Sequence, residues 1–163
     1  MISLDLTEVL VGIAEIAIAL AGFSGVVVVF GSRSSGQWDP GDRLRLTFLL
    51  EASFTAGGFA LATITMLSLP IAPDLVWAIV SGSWGTFMCG SLYWSSQRMQ
   101  TNDPSADELS NRIVFAAFAI VIVLQFVNVA MWHTFTPVIV GLLLNLIGAA
   151  MQFGRLIQSA FRD

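Results

Sequence analysis

Apolar residues along this chain fall into five long runs separated by short polar breaks. The runs cover about residues 7–30, 44–69, 75–96, 113–132 and 137–157. Each reaches about 20 residues, the length an α-helix needs to cross the ~30 Å hydrocarbon core of a bilayer. The pattern predicts an all-α fold: a polytopic bundle of five transmembrane helices, forming a single integral membrane domain over residues 1–163.

The breaks carry the punctuation such helices require. Asp39-Pro40, Ala72-Pro73, Asp103-Pro104 and Thr136-Pro137 each stand before a run. Proline is tolerated at the first helical position, where its missing N–H costs least. Asp39, Asp103 and Thr136 are suitable N-cap residues. Gly31 and the serine-rich stretch to Gly36 are expected to end the first helix. The fourth and fifth runs are divided only by His133, Thr134 and Thr136, so the count of five depends on a turn there. The polar stretch from Pro104 to Asn111 is expected to extend the fourth helix beyond the membrane.

The breaks also differ in charge, and this predicts an orientation. All seven basic residues are arginine. Arg33, Arg43, Arg98 and Arg112 lie in the first and third breaks, with Arg45 just inside the second run. Arg155 and Arg162 lie at the C-terminal end. The other two breaks and the N-terminus hold none. Short basic loops stay on the cytoplasmic side, so the N-terminus is expected outside and the C-terminus in the cytoplasm. The first run follows Asp5 and Glu8 with no base before it, which predicts a retained helix rather than a signal peptide.

Composition agrees with a membrane class. Hydrophobic residues make up 56% of the chain, charged residues 11%, and the mean hydropathy is +0.81. A soluble domain carries about 25% charged residues. The lipid bilayer is the expected partner, in a bacterial inner membrane. A net charge of −4 without a basic run gives no footprint for nucleic acid. Cys89 is alone and lysine is absent, so neither an intrachain disulfide nor a lysine Schiff base can form. Trp38, Trp77, Trp94 and Trp132 fall near span ends, as interfacial anchors do, whereas Trp84 falls near a helix centre.

Polar positions inside the runs are the candidate chemistry. Glu15 and Glu51 are ionisable groups at bilayer depth, where such side chains are rare and usually face the protein interior. A carboxylate there must be protonated, paired or hydrated. In the first run Glu8, Gly12, Glu15, Ala19 and Gly22 recur at steps of three and four, the spacing of one helix face. Glu51, Thr55, Gly58, Ala62 and Thr65 repeat that spacing in the second run, and Gly141, Asn145, Gly148, Gln152 and Arg155 in the fifth. The third run offers small residues only, Ser81, Gly85 and Cys89. Counting about 1.5 Å per residue sorts the polar groups into an outer cluster of Glu15, Gln125, Asn128 and Asn145 and an inner cluster of Glu51, Gln152 and Arg155. Glu15 precedes Gly22-Phe23 by the same interval as Glu51 precedes Gly58-Phe59. With the two helices running in opposite directions, this is the form an inverted repeat would take. Helix packing alone also accounts for the Gly, Ala, Ser and Thr positions, and Asn and Gln can serve as bridges between helices. Arg155 can equally extend to the cytoplasmic headgroups.

Gly22-Phe23-Ser24-Gly25 resembles the Gly-x-Ser-Gly of rhomboid intramembrane proteases, which pair the serine with a histidine. His133 is expected about 20 Å from Ser24 by helical rise, beyond the reach a Ser–His pair needs. One histidine and one cysteine do not make a metal or haem site. No catalytic residues, cofactor or metal are therefore expected, and the chain is not read as an enzyme. The sequence points to a small channel or transporter for protons or small cations, working as a homo-oligomer through Glu15 and Glu51. The alternative is a non-transporting assembly or regulatory subunit of a larger complex.

Overall fold

A computed structural model describes residues 5–30, 40–102 and 108–160. The chain is all-helical. Five α-helices follow in order: α1 (Leu6–Phe30), α2 (Pro40–Leu67), α3 (Pro73–Asn102), α4 (Glu108–Val127) and α5 (Phe135–Ala160). A π-helical turn, Asn128–Trp132, joins the last two. Each of the five is long and apolar enough to cross a membrane, over Leu6–Val27, Pro40–Leu67, Pro73–Gln97, Arg112–Trp132 and Phe135–Ser159.

The helix starts follow from local chemistry. Pro40 and Pro73 open α2 and α3 at the first position, as the Xaa-Pro pairs predict. Helix α1 is capped by Asp5, whose Oδ1 accepts the Thr7 backbone N–H at 3.0 Å. Helix α5 departs from expectation. It begins at Phe135, so Thr136 lies inside the helix and Pro137 falls in its first turn, where a missing N–H is still harmless. The expected caps Asp39 and Asp103, the Gly31–Gly36 stretch and Trp38 lie outside the described residues.

Several hydroxyl groups within the helices are spent on the helices themselves. Ser24 Oγ donates to the Ala21 carbonyl at 2.6 Å, Thr47 to Arg43 at 2.8 Å and Thr86 to Gly82 at 2.8 Å. In hydrocarbon no water is available to satisfy such groups, so local back-bonding is the economical solution.

The helices pack as two units, Met1–Leu61 with Asn145–Asp163, and Ala62–Leu144. In the first, Leu10, Ile13, Ala14 and Ala17 of α1, Leu49, Ala56 and Ala60 of α2, and Leu146, Ala149 and Leu156 of α5 are buried. Helix α2 meets α1 at Gly57. A Cβ placed there would stand 3.3 Å from the Ala17 Cβ. The neighbouring Gly58, which the spacing argument selects, faces open space.

In the second unit α3 packs on α4 and on the π-helical turn. Trp77, Val80, Trp84 and Met88 of α3 are buried, as are Phe118, Val121 and Ile122 of α4. Trp77 is therefore not an interfacial anchor. It lies edge-on to Phe135 with ring centroids 6.3 Å apart, a favourable aromatic geometry. Trp94 and Trp132, by contrast, are exposed. The outward faces carry large apolar side chains along most of their length, among them Ile18, Phe54, Leu61, Phe87, Ile120 and Ile147. Apolar surface this extensive suits lipid rather than water. Together with the five helix lengths, it supports a multi-pass membrane protein.

Candidate functional site

The polar residues singled out by spacing occupy three different environments. Gln125 and Asn128 are fully buried in the second unit, at 0% exposure each. Asn145 is buried in the first unit, where Glu51, Gln152 and Arg155 are half-buried. Glu15, also in the first unit, is exposed.

Asn128 is the clamp of the turn between α4 and α5. Its Nδ2 donates to Ser81 Oγ at 2.7 Å and to the Thr134 carbonyl at 2.9 Å. Its Oδ1 accepts the Thr134 N–H at 3.0 Å and the Thr134 hydroxyl at 3.3 Å. The backbone reverses where His133 adopts a left-handed conformation (φ 52°), and its N–H donates to the Asn128 carbonyl at 2.9 Å. A non-glycine residue accepts this conformation only when neighbouring bonds hold it there. One amide thus closes the turn and ties it to α3. The polar break holds a turn at residues 133–134, as the count of five helices requires.

Gln125 sits one helical turn earlier on α4. Its Nε2 donates to the Pro137 carbonyl, bracing the first turn of α5 from the side. Here the helices come close at Gly141. A Cβ at that position would stand 2.9 Å from Gln125 Nε2 and 3.1 Å from Trp84 Cζ2. Four buried polar atoms have no hydrogen-bond partner among the described residues: Ser53 Oγ, Trp84 Nε1, Gln125 Oε1 and Asn145 Nδ2.

Glu15 departs from the expectation that an ionisable group within a span faces the protein interior. Leu10, Ile13, Ala17 and Ser24 form the buried face of α1, whereas Glu8, Glu15, Ala19 and Gly22 are exposed on the opposite side. The α2 stripe is also shifted. Its buried face runs through Ser53, Ala56, Gly57, Ala60 and Thr63, leaving Gly58, Ala62 and Thr65 outside. Glu51 stands away from this face, half-buried, and is engaged in an interaction of its own.

Asp42, which stripe spacing does not single out, is the best-sequestered carboxylate described. It is buried in the first turn of α2. It accepts from Arg45 Nη1 at 3.0 Å and from Ser159 Oγ near the end of α5 at 2.7 Å. The i,i+3 spacing of Asp42 and Arg45 is a readable signal for the ion pair, but the serine lies 117 residues away in sequence.

Ser24 is buried with its hydroxyl committed to the Ala21 carbonyl. Among the described residues no group of three His, Cys, Asp or Glu side chains could hold a metal ion. No protein-family model, curated protein or solved structure matches this chain. Its class therefore rests on its own five apolar helices.

Proposed function

We propose that this chain is a small multi-pass channel or transporter for protons or small cations, with Glu15 and Glu51 as the groups that take up and release the ion. In this reading the N-terminus lies outside and the C-terminus in the cytoplasm of a bacterial inner membrane. The observation that carries it is a contrast among carboxylates. Asp42 is buried and held by Arg45 and Ser159, the condition of a structural carboxylate. Glu15 and Glu51 lie within apolar spans, yet neither is sealed in a core. Ionisable groups are costly at bilayer depth, and those that persist there commonly serve ion or proton pathways. Transport would proceed by protonation or ion coordination at the two carboxyls in series.

A second reading has its own support. Gln125 and Asn128 are occupied in bracing α5 and its turn, which removes two groups from any polar route. This favours a non-transporting assembly or regulatory subunit. Flux assays separate the two. Purified protein in liposomes is expected to conduct protons or monovalent cations, with flux lost in Glu51→Gln and reduced in Glu15→Gln. Absence of flux from correctly inserted wild-type protein, or equal flux in all three, rejects the carboxylate mechanism and favours the second reading.

A further inference from the structure

We propose that the outward face of α1 is the contact surface between two copies of this chain, with the two Glu15 carboxyls hydrogen-bonded to each other across it. The inference rests on the helices spanning a bilayer and does not require that anything is transported.

Glu15 stands at the centre of that face. At about 100° per residue, Glu8, Gly12, Ala19 and Gly22 all lie within a third of a turn of it, and the buried residues Leu10, Ile13, Ala17 and Ser24 lie behind. Rise along the axis puts Glu15 about 14 Å from Leu6, well inside the hydrocarbon layer. A carboxyl facing lipid at that depth lacks a hydrogen-bond partner, a strongly unfavourable condition in hydrocarbon. Among the described residues none is supplied, since no hydrogen bond or ion pair engages Glu15 there.

The flanks of Glu15 admit another helix. At Gly12 and Gly22 an added Cβ would meet nothing within 4 Å, and Ala19 is exposed. Small residues at such positions let two backbones approach closely enough for side-chain hydrogen bonds.

Symmetry and chemistry select a second copy as the occupant. Two copies inserted in the same orientation, related by an axis along the membrane normal, place every α1 residue at the depth of its twin. A neutral carboxyl group has one donor and acceptor capacity to spare, so the twin of Glu15 satisfies it reciprocally. Other surfaces of a second copy serve less well. Gln125, Asn128 and Asn145 are buried. Arg43 and Arg45 lie in the first two turns of α2, Arg112 at the start of its span and Arg155 near the end of α5. These are all at the end of the membrane opposite the start of α1. In the pair, Val11 and Ile18, exposed to either side of Glu15, pack against the partner helix beside the seam of Gly12, Ala19 and Gly22.

Disulfide trapping in the membrane tests this. With Cys89 replaced by serine, a single cysteine is placed at Ala19, or as a control at Ile120 on the exposed side of α4, and the membranes are oxidised. Covalent dimer is expected to form readily at Ala19→Cys and little at Ile120→Cys. Adding Glu15→Leu should weaken association about tenfold, the scale of interhelical polar bonds in model helices, and lower the yield accordingly. Glu15→Gln, whose amide is also donor and acceptor, should retain the dimer. Gly22→Leu fills open space in the single chain and should separate the copies while leaving thermal unfolding of the helices unchanged. Equal trapping at the two positions, or a yield indifferent to both Glu15→Leu and Gly22→Leu, overturns the proposal. Trapping is read without reference to flux, so its outcome is distinct from that of the transport reading.

Discussion

Replacing Gly141 with leucine is expected to prevent α5 from docking in the second unit. Even alanine introduces a Cβ 2.9 Å from Gln125 Nε2 and 3.1 to 3.2 Å from two atoms of the Trp84 ring. The amide is the end of a flexible side chain, but it is held by its bond to the Pro137 carbonyl. The indole is buried at 1% exposure and has little room to retreat. Overpacking of this kind costs about 1–3 kcal/mol for added methylenes, so alanine should lower stability measurably and leucine should abolish the native packing. The measurement is thermal unfolding of the detergent-solubilised protein, followed by near-ultraviolet signals of the buried tryptophans. Gly58→Leu is the matched control, because an added Cβ there meets nothing within 4 Å. Wild-type stability of Gly141→Leu would mean that Trp84, Gln125 and α5 do not converge as described.

Asn128→Leu is expected to be comparably damaging by a different route. The substitution keeps the branched side-chain shape and its number of heavy atoms but removes four hydrogen bonds to Ser81 and Thr134. The Thr134 N–H loses its acceptor, and the turn around the left-handed His133 keeps the His133 N–H bond to the residue 128 carbonyl but loses its side-chain ties. A buried polar group left unsatisfied costs about 1–3 kcal/mol, although interhelical bonds within membranes average nearer about 0.6 kcal/mol. The loss should therefore reach about 2 kcal/mol or more, and amide exchange should accelerate at Thr134 and in the first turn of α5. Ser81→Ala removes a single partner and should cost much less. If Asn128→Leu and Ser81→Ala prove equally mild, the turn is held by something other than this amide.

Both predictions concern residues whose importance was legible while their partners were not. The apolar runs and the prolines at 40 and 73 locate four helix boundaries because those signals are local: run length, and a residue that cannot donate an N–H. Asn128 stands out as a polar group in an apolar run, but its partner Ser81 lies 47 residues away and is fixed only by tertiary packing. The choice between Gly57 and Gly58 shows a related limit. Adjacent residues on a helix point about 100° apart, and a helix apolar on every side offers no stripe to say which of them faces its neighbour. The facing of Glu15 escaped for the same reason. The rule that charged groups turn inward presumes that the inside of one chain is the only shelter from lipid.

The arginine pattern and the clamped turn together make the most directly testable claim, that five spans place the N-terminus and the 68–72 linker outside and the third break in the cytoplasm. Single cysteines at Ala72 and at Ser105, in a Cys89→Ser background, can be probed with a membrane-impermeant maleimide in intact cells. Ala72→Cys should label at once, and Ser105→Cys only after the membrane is permeabilised. Labelling of Ser105→Cys in intact cells, with Ala72→Cys protected, would invert the orientation. Equal labelling of both would mean that α3 does not cross the membrane.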